Sequence, residues 1–166
     1  MPKVVNFNAS NDLVNIVADF QMDIILELLD YRINNNIIST KSQDNKDYPK
    51  VITGCEYNQI RYPGRSFKGR SRIQRVKVLH SDIINALSVV APSVTPPETI
   101  DDPMSGKTLY IGTCAEDDSA TRVLNELDSK HKIRPKLNDL IFVHPYRPRT
   151  SVYVECCEVC VELFGK

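Results

Sequence analysis

The sequence predicts an α/β fold with a helical N-terminal part, and three observations lead there. Leu13, Ile16, Val17, Phe20, Ile24, Leu28 and Tyr31 recur at helical spacing between Asn11 and about Asn34, while Asp12, Asp19, Asp23, Glu27 and Asp30 keep mostly to another face. The apolar runs Thr108-Leu109-Tyr110-Ile111 and Leu140-Ile141-Phe142-Val143 have the length and composition of buried strands. An amphipathic stretch from Cys114 to about Lys130 separates them, so strand, helix and strand follow one another.

A chain of 166 residues fits a single domain, 1–166, that buries roughly two-thirds of its unfolded surface. It divides into a helical part (1–50), a basic hairpin or loop with a proline-rich connection (51–106), and a part that carries four of the five cysteines (107–166). Ser10 or Asn11 is suited to cap the first helix, and 39–50 is expected to be a polar loop. Residues 51–53 and 73–79 are candidate strands, with turn residues at 62–66 and 68–71. Ser81 is placed to cap a short helix through Leu87, after which Pro92, Pro96, Pro97 and Pro103 forbid regular structure up to Lys107. The strands at 108–111 and 140–143 are expected to be neighbours in one sheet, joined by the intervening helix as a right-handed crossover. Residues 159–164 continue as a short helix.

The formal net charge is zero, so bulk charge points to no partner. Its distribution is more specific. From Tyr57 to Ser81 there is no carboxylate, against seven positive charges: Arg61, Arg65, Lys68, Arg70, Arg72, Arg75 and Lys77. Arginines and lysines track phosphates and the interleaved Tyr57, Tyr62 and Phe67 can stack on bases, so Arg61, Arg65, Lys68, Arg70, Arg72 and Arg75 are candidate contacts to a single-stranded nucleic acid. A solvated basic loop is the alternative. Met104-Ser105-Gly106-Lys107-Thr108 ends like a phosphate-binding loop but lacks the upstream glycine. No apolar stretch is long enough for a bilayer and no signal peptide opens the chain, so a soluble cytoplasmic protein without a membrane partner is expected. A delivered effector cut from a longer polypeptide would look the same.

The cysteines carry the chemistry. Cys55, Cys114, Cys156, Cys157 and Cys160 are an odd number, and the last three crowd into five residues. That pattern suits metal ligation or reduced thiols better than a disulfide framework. Cys114 opens a helix after a strand, and Cys157-Glu158-Val159-Cys160 opens the next, pointing two sulfurs at one spot. If the two helix starts meet, three ligands leave a fourth tetrahedral position for water, the catalytic pattern of zinc. Glu116, in the first turn beyond Cys114, is then the candidate acid/base.

Cys114-Ala115-Glu116 followed by Cys157-x-x-Cys160 resembles the cytidine-deaminase-like superfamily, including its bacterial toxin members, over roughly 107–166. The resemblance implies a three-layer sheet with flanking helices, zinc held by Cys114, Cys157 and Cys160, Glu116 as general acid/base, and hydrolytic deamination of a nucleobase, cytosine in a nucleic acid or a nucleoside. Other readings stay open. Thr113-x-x-Glu116 also forms a capping box, with Glu116 bonded back to the Thr113 N–H. Cys114 also suits a buried apolar position. Cys157 and Cys160 also suit a redox pair, or half of a zinc site shared between two copies of a homo-oligomer. The chain would then be a nucleic-acid- or protein-binding module with no enzymatic role. His80-Ser81-Asp82 imitates the motif with an acid one methylene too short, and His80 is expected at a strand end or the surface. His131 follows the Cys114 helix, and His144 ends an apolar strand.

Overall fold

The computed structural model describes residues 2–68, 71–92, 99–101 and 108–166. These form a mixed helix-and-sheet protein whose N-terminal part is helical. Helix α1 (Asn11–Asn34) begins where expected, with Ser10 as N-cap accepting from the Leu13 N–H at 3.2 Å. Its buried stripe, Leu13, Val17 and Ile24, packs with Ile52 and Val143. Helix α2 (Lys41–Asp47) replaces the expected loop at 39–50. Thr40 caps it, and buried Arg32 reaches over from α1 to Asp44 at 2.7 Å and Asp47 at 2.9 Å. Sequence periodicity carries no trace of this clamp, because α2 is held by charge pairs to Arg32 rather than by an apolar face.

Strands β1 (Ile52–Tyr57) and β2 (Ile60–Arg65) form an antiparallel hairpin, so 62–65 of the expected turn at 62–66 is strand. The turn lies earlier, at Asn58 and Gln59, both with positive φ (50° and 67°), as a right-twisted two-residue hairpin loop requires. Pro63 is tolerated because β2 is an edge strand of the sheet order β2-β1-β5. Helix α3 (Ser71–Val76) replaces the expected strand at 73–79. Val76 packs on the main core while Ile73 stays exposed, so one apolar contact per turn substitutes for strand alternation. Helix α4 (Ser81–Val90) is capped by His80 rather than Ser81 and buries Ile83 and Leu87.

Strands β3 (Thr99–Asp101) and β4 (Thr108–Tyr110) pair with each other in a separate two-stranded sheet. Regular structure therefore occurs inside the proline-rich stretch, in a segment free of proline; Pro96, Pro97, Pro103 and Met104-Ser105-Gly106-Lys107 lie outside the described residues. The crossover expectation is overturned. After helix α5 (Ala115–Ser129) and a 3-10 turn (Leu137–Asp139), strand β5 (Ile141–Phe142) pairs antiparallel with β1, placing Cys55 opposite Phe142. The place beside β5 is taken by β1 rather than β4, and both Cys55 and Phe142 are fully buried there. Helix α6 (Glu158–Phe164) follows, its Leu163 and Phe164 in the same core as Leu124 and Leu127 of α5.

Two glycines let helices approach the hairpin. A Cβ on Gly54 would meet Val17 Cγ2 at 2.5 Å, and one on Gly64 would meet the Ala115 carbonyl and the Ser119 N–H nitrogen, each at 2.5 Å. The first seats α1 and the second seats the N-terminal turn of α5. Among the described residues no helix is long and apolar enough to cross a membrane.

Candidate functional site

The start of α5 is fixed from several directions. The buried Asp118 carboxylate accepts from the Arg65 N–H at 2.9 Å, and the Phe67 N–H donates to the Thr113 carbonyl at 3.0 Å. With Gly64 in contact, strand β2 and the residues after it hold this turn in place. Cys114 is the N-cap, extended at φ −74° and ψ 155°, and makes no side-chain cap bond, which leaves its sulfur available. Glu116 is therefore the second helical residue, not the third that a capping box needs. The buried Glu116, Asp117 and Asp118 of this first turn face the positive end of the helix.

Cys157 is the N-cap of α6, its sulfur accepting from the Cys160 N–H at 3.4 Å. The two caps meet: Cys114 Sγ lies 3.6 Å from Cys157 Sγ, and the sulfurs of Cys114, Cys157 and Cys160 are all within 4.8 Å of one another. Metal–sulfur bonds of about 2.3 Å in a tetrahedron separate ligand sulfurs by about 3.8 Å, so this trio is spaced to close on one ion. The three thiols share protons unequally. Hydrogen bonds from Cys114 and Cys160, and from the backbone at Cys160 and Val159, hold Cys157 well below the usual thiol range. Donation to Cys157 pushes Cys114 up, and bonds to Cys114 and Cys157 together with burial do the same to Cys160.

Glu116 sits beside the trio, facing Cys157 and Cys160, and burial raises its carboxyl above the ordinary range. Its Oε1 accepts a hydrogen bond from Cys156 Sγ at 3.1 Å. Cys156 thus takes a role that sequence reasoning missed: outside the trio, it is the carboxylate's partner, and burial, then Glu116, push its thiol up. The only signal was its place next to Cys157.

Among the described residues, the basic side chains of this segment turn in different directions. Arg61 is turned inward, its Nε 3.0 Å from Glu56 Oε2 and 3.2 Å from Ser10 Oγ. The Arg65 guanidinium lies over the Phe67 ring at 5.3 Å. Lys68 lines a cleft with Lys50, Arg147 and Arg149, three residues the sequence reading did not single out. Arg72 and Arg75 lie on α3, Arg72 half-buried, and Arg70 lies outside the described residues. His80 is buried rather than exposed. Its Nδ1 accepts from the Asp82 N–H at 3.0 Å, and its Nε2 lies 2.7 Å from Asp128, binding α4 to α5. His131 occupies the positive-φ position (53°) after α5, and His144 lies against a tilted Phe7 ring at 4.7 Å and meets Tyr153 edge-on at 5.0 Å.

No family model, no curated protein and no solved structure matches this chain.

Proposed function

We propose that the chain is a zinc-dependent hydrolytic deaminase of a nucleobase, cytosine in a nucleic acid or a nucleoside. The observation that carries this reading is the meeting of two helix starts, which sets three thiols within 4.8 Å of one another next to a buried carboxylate. The donor set fits zinc, since soft thiolates select it and three protein ligands leave one position open. Cys114, Cys157 and Cys160 would hold the ion, which when bound supplies an activated water for attack on the amidine carbon of the base.

The rest falls to Glu116. Its carboxylate takes a proton from the water and delivers it to the ring nitrogen; proton transfer to the exocyclic amine then lets ammonia leave, so cytosine and water become uracil and ammonia. Cys156 holds Oε1 in position for this exchange. The hairpin that seats the start of α5 has helices against it, with Ile52 and Gly54 towards α1 and Cys55 in the core shared with α5.

Zinc content after dialysis, and ammonia release or cytosine-to-uracil conversion on nucleosides and on single- and double-stranded DNA and RNA, test the reading. Glu116→Gln should keep zinc and fold while lowering turnover by at least about a hundredfold. A zinc-loaded chain that converts none of these substrates, or a fully active Glu116→Gln variant, overturns it and leaves a structural metal site in a binding module.

A further inference from the structure

A cleft of about 310 Å³ opens between α2 and the loop that follows β5, at the lower end of the size range of ligand sites. Four cations line it, Lys50, Lys68, Arg147 and Arg149, against one carboxylate, Asp44. That carboxylate is already engaged on both oxygens, Oδ1 with Arg32 at 2.7 Å and Oδ2 with Arg149 at 3.4 Å. The lining therefore carries a net charge of about +3, in a chain whose net charge is zero. Lys68 is crowded further: burial, and after it the neighbouring Arg65, push its ammonium down, with Lys50 and Arg72 adding to the effect while Asp47 opposes it. A bound anion would relieve that crowding.

The walls are firm. Lys68 Nζ donates to the Asn45 carbonyl, and Gln21 Nε2 anchors the loop by donating to the Pro148 carbonyl at 2.7 Å and Ser151 Oγ at 2.9 Å. One wall of the cleft lies near the thiols along the backbone. Phe67, next to Lys68, is bonded to Thr113, next to Cys114, so the Lys68 and Cys114 backbones are at most about 13 Å apart, two chain steps and one backbone bond. On the same loop as Arg147 and Arg149, Tyr153 exposes 71% of its surface and meets Tyr146 edge-on at 6.4 Å.

We infer that this cleft binds the phosphodiester backbone of a single-stranded nucleic acid and leads it to the thiol cluster, an assignment of substrate class that rests on the deaminase reading. Clustered cations bind phosphates, and exposed aromatic rings bind unstacked bases. A base must leave its stack to reach a buried site, which a single strand does at least cost.

Fluorescence anisotropy of a labelled single-stranded oligonucleotide, measured on the zinc-loaded Glu116→Gln chain, separates binding from turnover. Replacing Lys50, Lys68, Arg147 and Arg149 together by Ala should weaken binding at least about tenfold at low salt and flatten the salt slope by about 2 to 3, at about 0.7 per phosphate. Exchanging Lys and Arg at the same four positions keeps the charge and should keep affinity within about threefold. Unchanged affinity and slope in the Ala variant, or equal loss in both variants, would overturn the inference. Failure of the deaminase reading would appear separately, as absent conversion by the otherwise wild-type chain.

Discussion

Cys156 donates to Glu116 across two helix starts, Sγ to Oε1 at 3.1 Å, so that the residue beside a candidate metal ligand holds the candidate proton carrier. A partner of this kind orients a reacting group without touching the ion, and its loss typically costs about 10- to 100-fold in activity. Cys156→Ala should lower turnover by about tenfold while metal content by elemental analysis stays unchanged, and Cys156→Ser, which keeps a donor, should recover most of it. Loss of metal in Cys156→Ala would instead place this sulfur among the ligands.

Gly64→Ala tests how the start of α5 is held. The added methyl would lie 2.5 Å from two backbone atoms of α5, neither at the end of a flexible side chain, so the helix or the strand must move. Overpacking of this kind costs about 1–3 kcal/mol. Urea denaturation should show that loss, together with weaker metal binding, because the same turn carries Cys114 and Glu116. A variant with wild-type stability would mean that β2 does not set the position of this turn.

The Arg32 clamp makes a prediction in pH. The hydrogen bond from Arg32 holds Asp44 below the ordinary value of 3.8, and bonds from Gln43 and then Arg32 do the same for Asp47. A carboxylate with a lowered folded pKa adds stability that is fully present above the unfolded value and is lost as pH falls through the folded one. The difference in Tm between wild type and Asp44→Asn/Asp47→Asn should therefore be constant near neutral pH and shrink as pH drops below 3.8. A difference that persists unchanged into acid would remove the ion pairs as its cause.

The parts of the fold legible in the sequence are those whose signals are local. α1 has a full apolar stripe and a capping serine, and α5 and α6 begin at cysteines in N-cap geometry. What the sequence hid depends on partners distant in the chain. β2 shows turn residues, yet Pro63 and Gly64 are placed by an edge position and a close helix. β5 finds β1, some 86 residues away, because Phe142 completes the core around Cys55. The site divides the same way. Cys114, Glu116, Cys157 and Cys160 stand out by spacing, whereas the thiol on Glu116 and the cleft of Lys50, Lys68, Arg147 and Arg149 exist only once the chain has folded.

The metal itself allows the most direct measurement. The three sulfurs come from two helices, so an ion bound among them ties the start of α5 to the start of α6 and favours the folded state. Saturation at about a hundred times Kd should add about 2.7 kcal/mol to stability, seen as a rise in Tm with zinc that a chelator reverses. Cobalt(II), a spectroscopic substitute, should give a thiolate-to-metal band at one ion per chain. Cys114→Ser, Cys157→Ser and Cys160→Ser should each weaken binding by at least about a hundredfold, about 2.7 kcal/mol. Cys55→Ser should leave the band intact, because the Cys55 sulfur is not one of the three grouped within 4.8 Å of one another, though stability should fall through lost packing in the core. A cobalt band that survives Cys114→Ser unchanged would confine the site to Cys157 and Cys160. The two helix starts would then meet without sharing a metal ion, and the arrangement that carries the proposed chemistry would be absent.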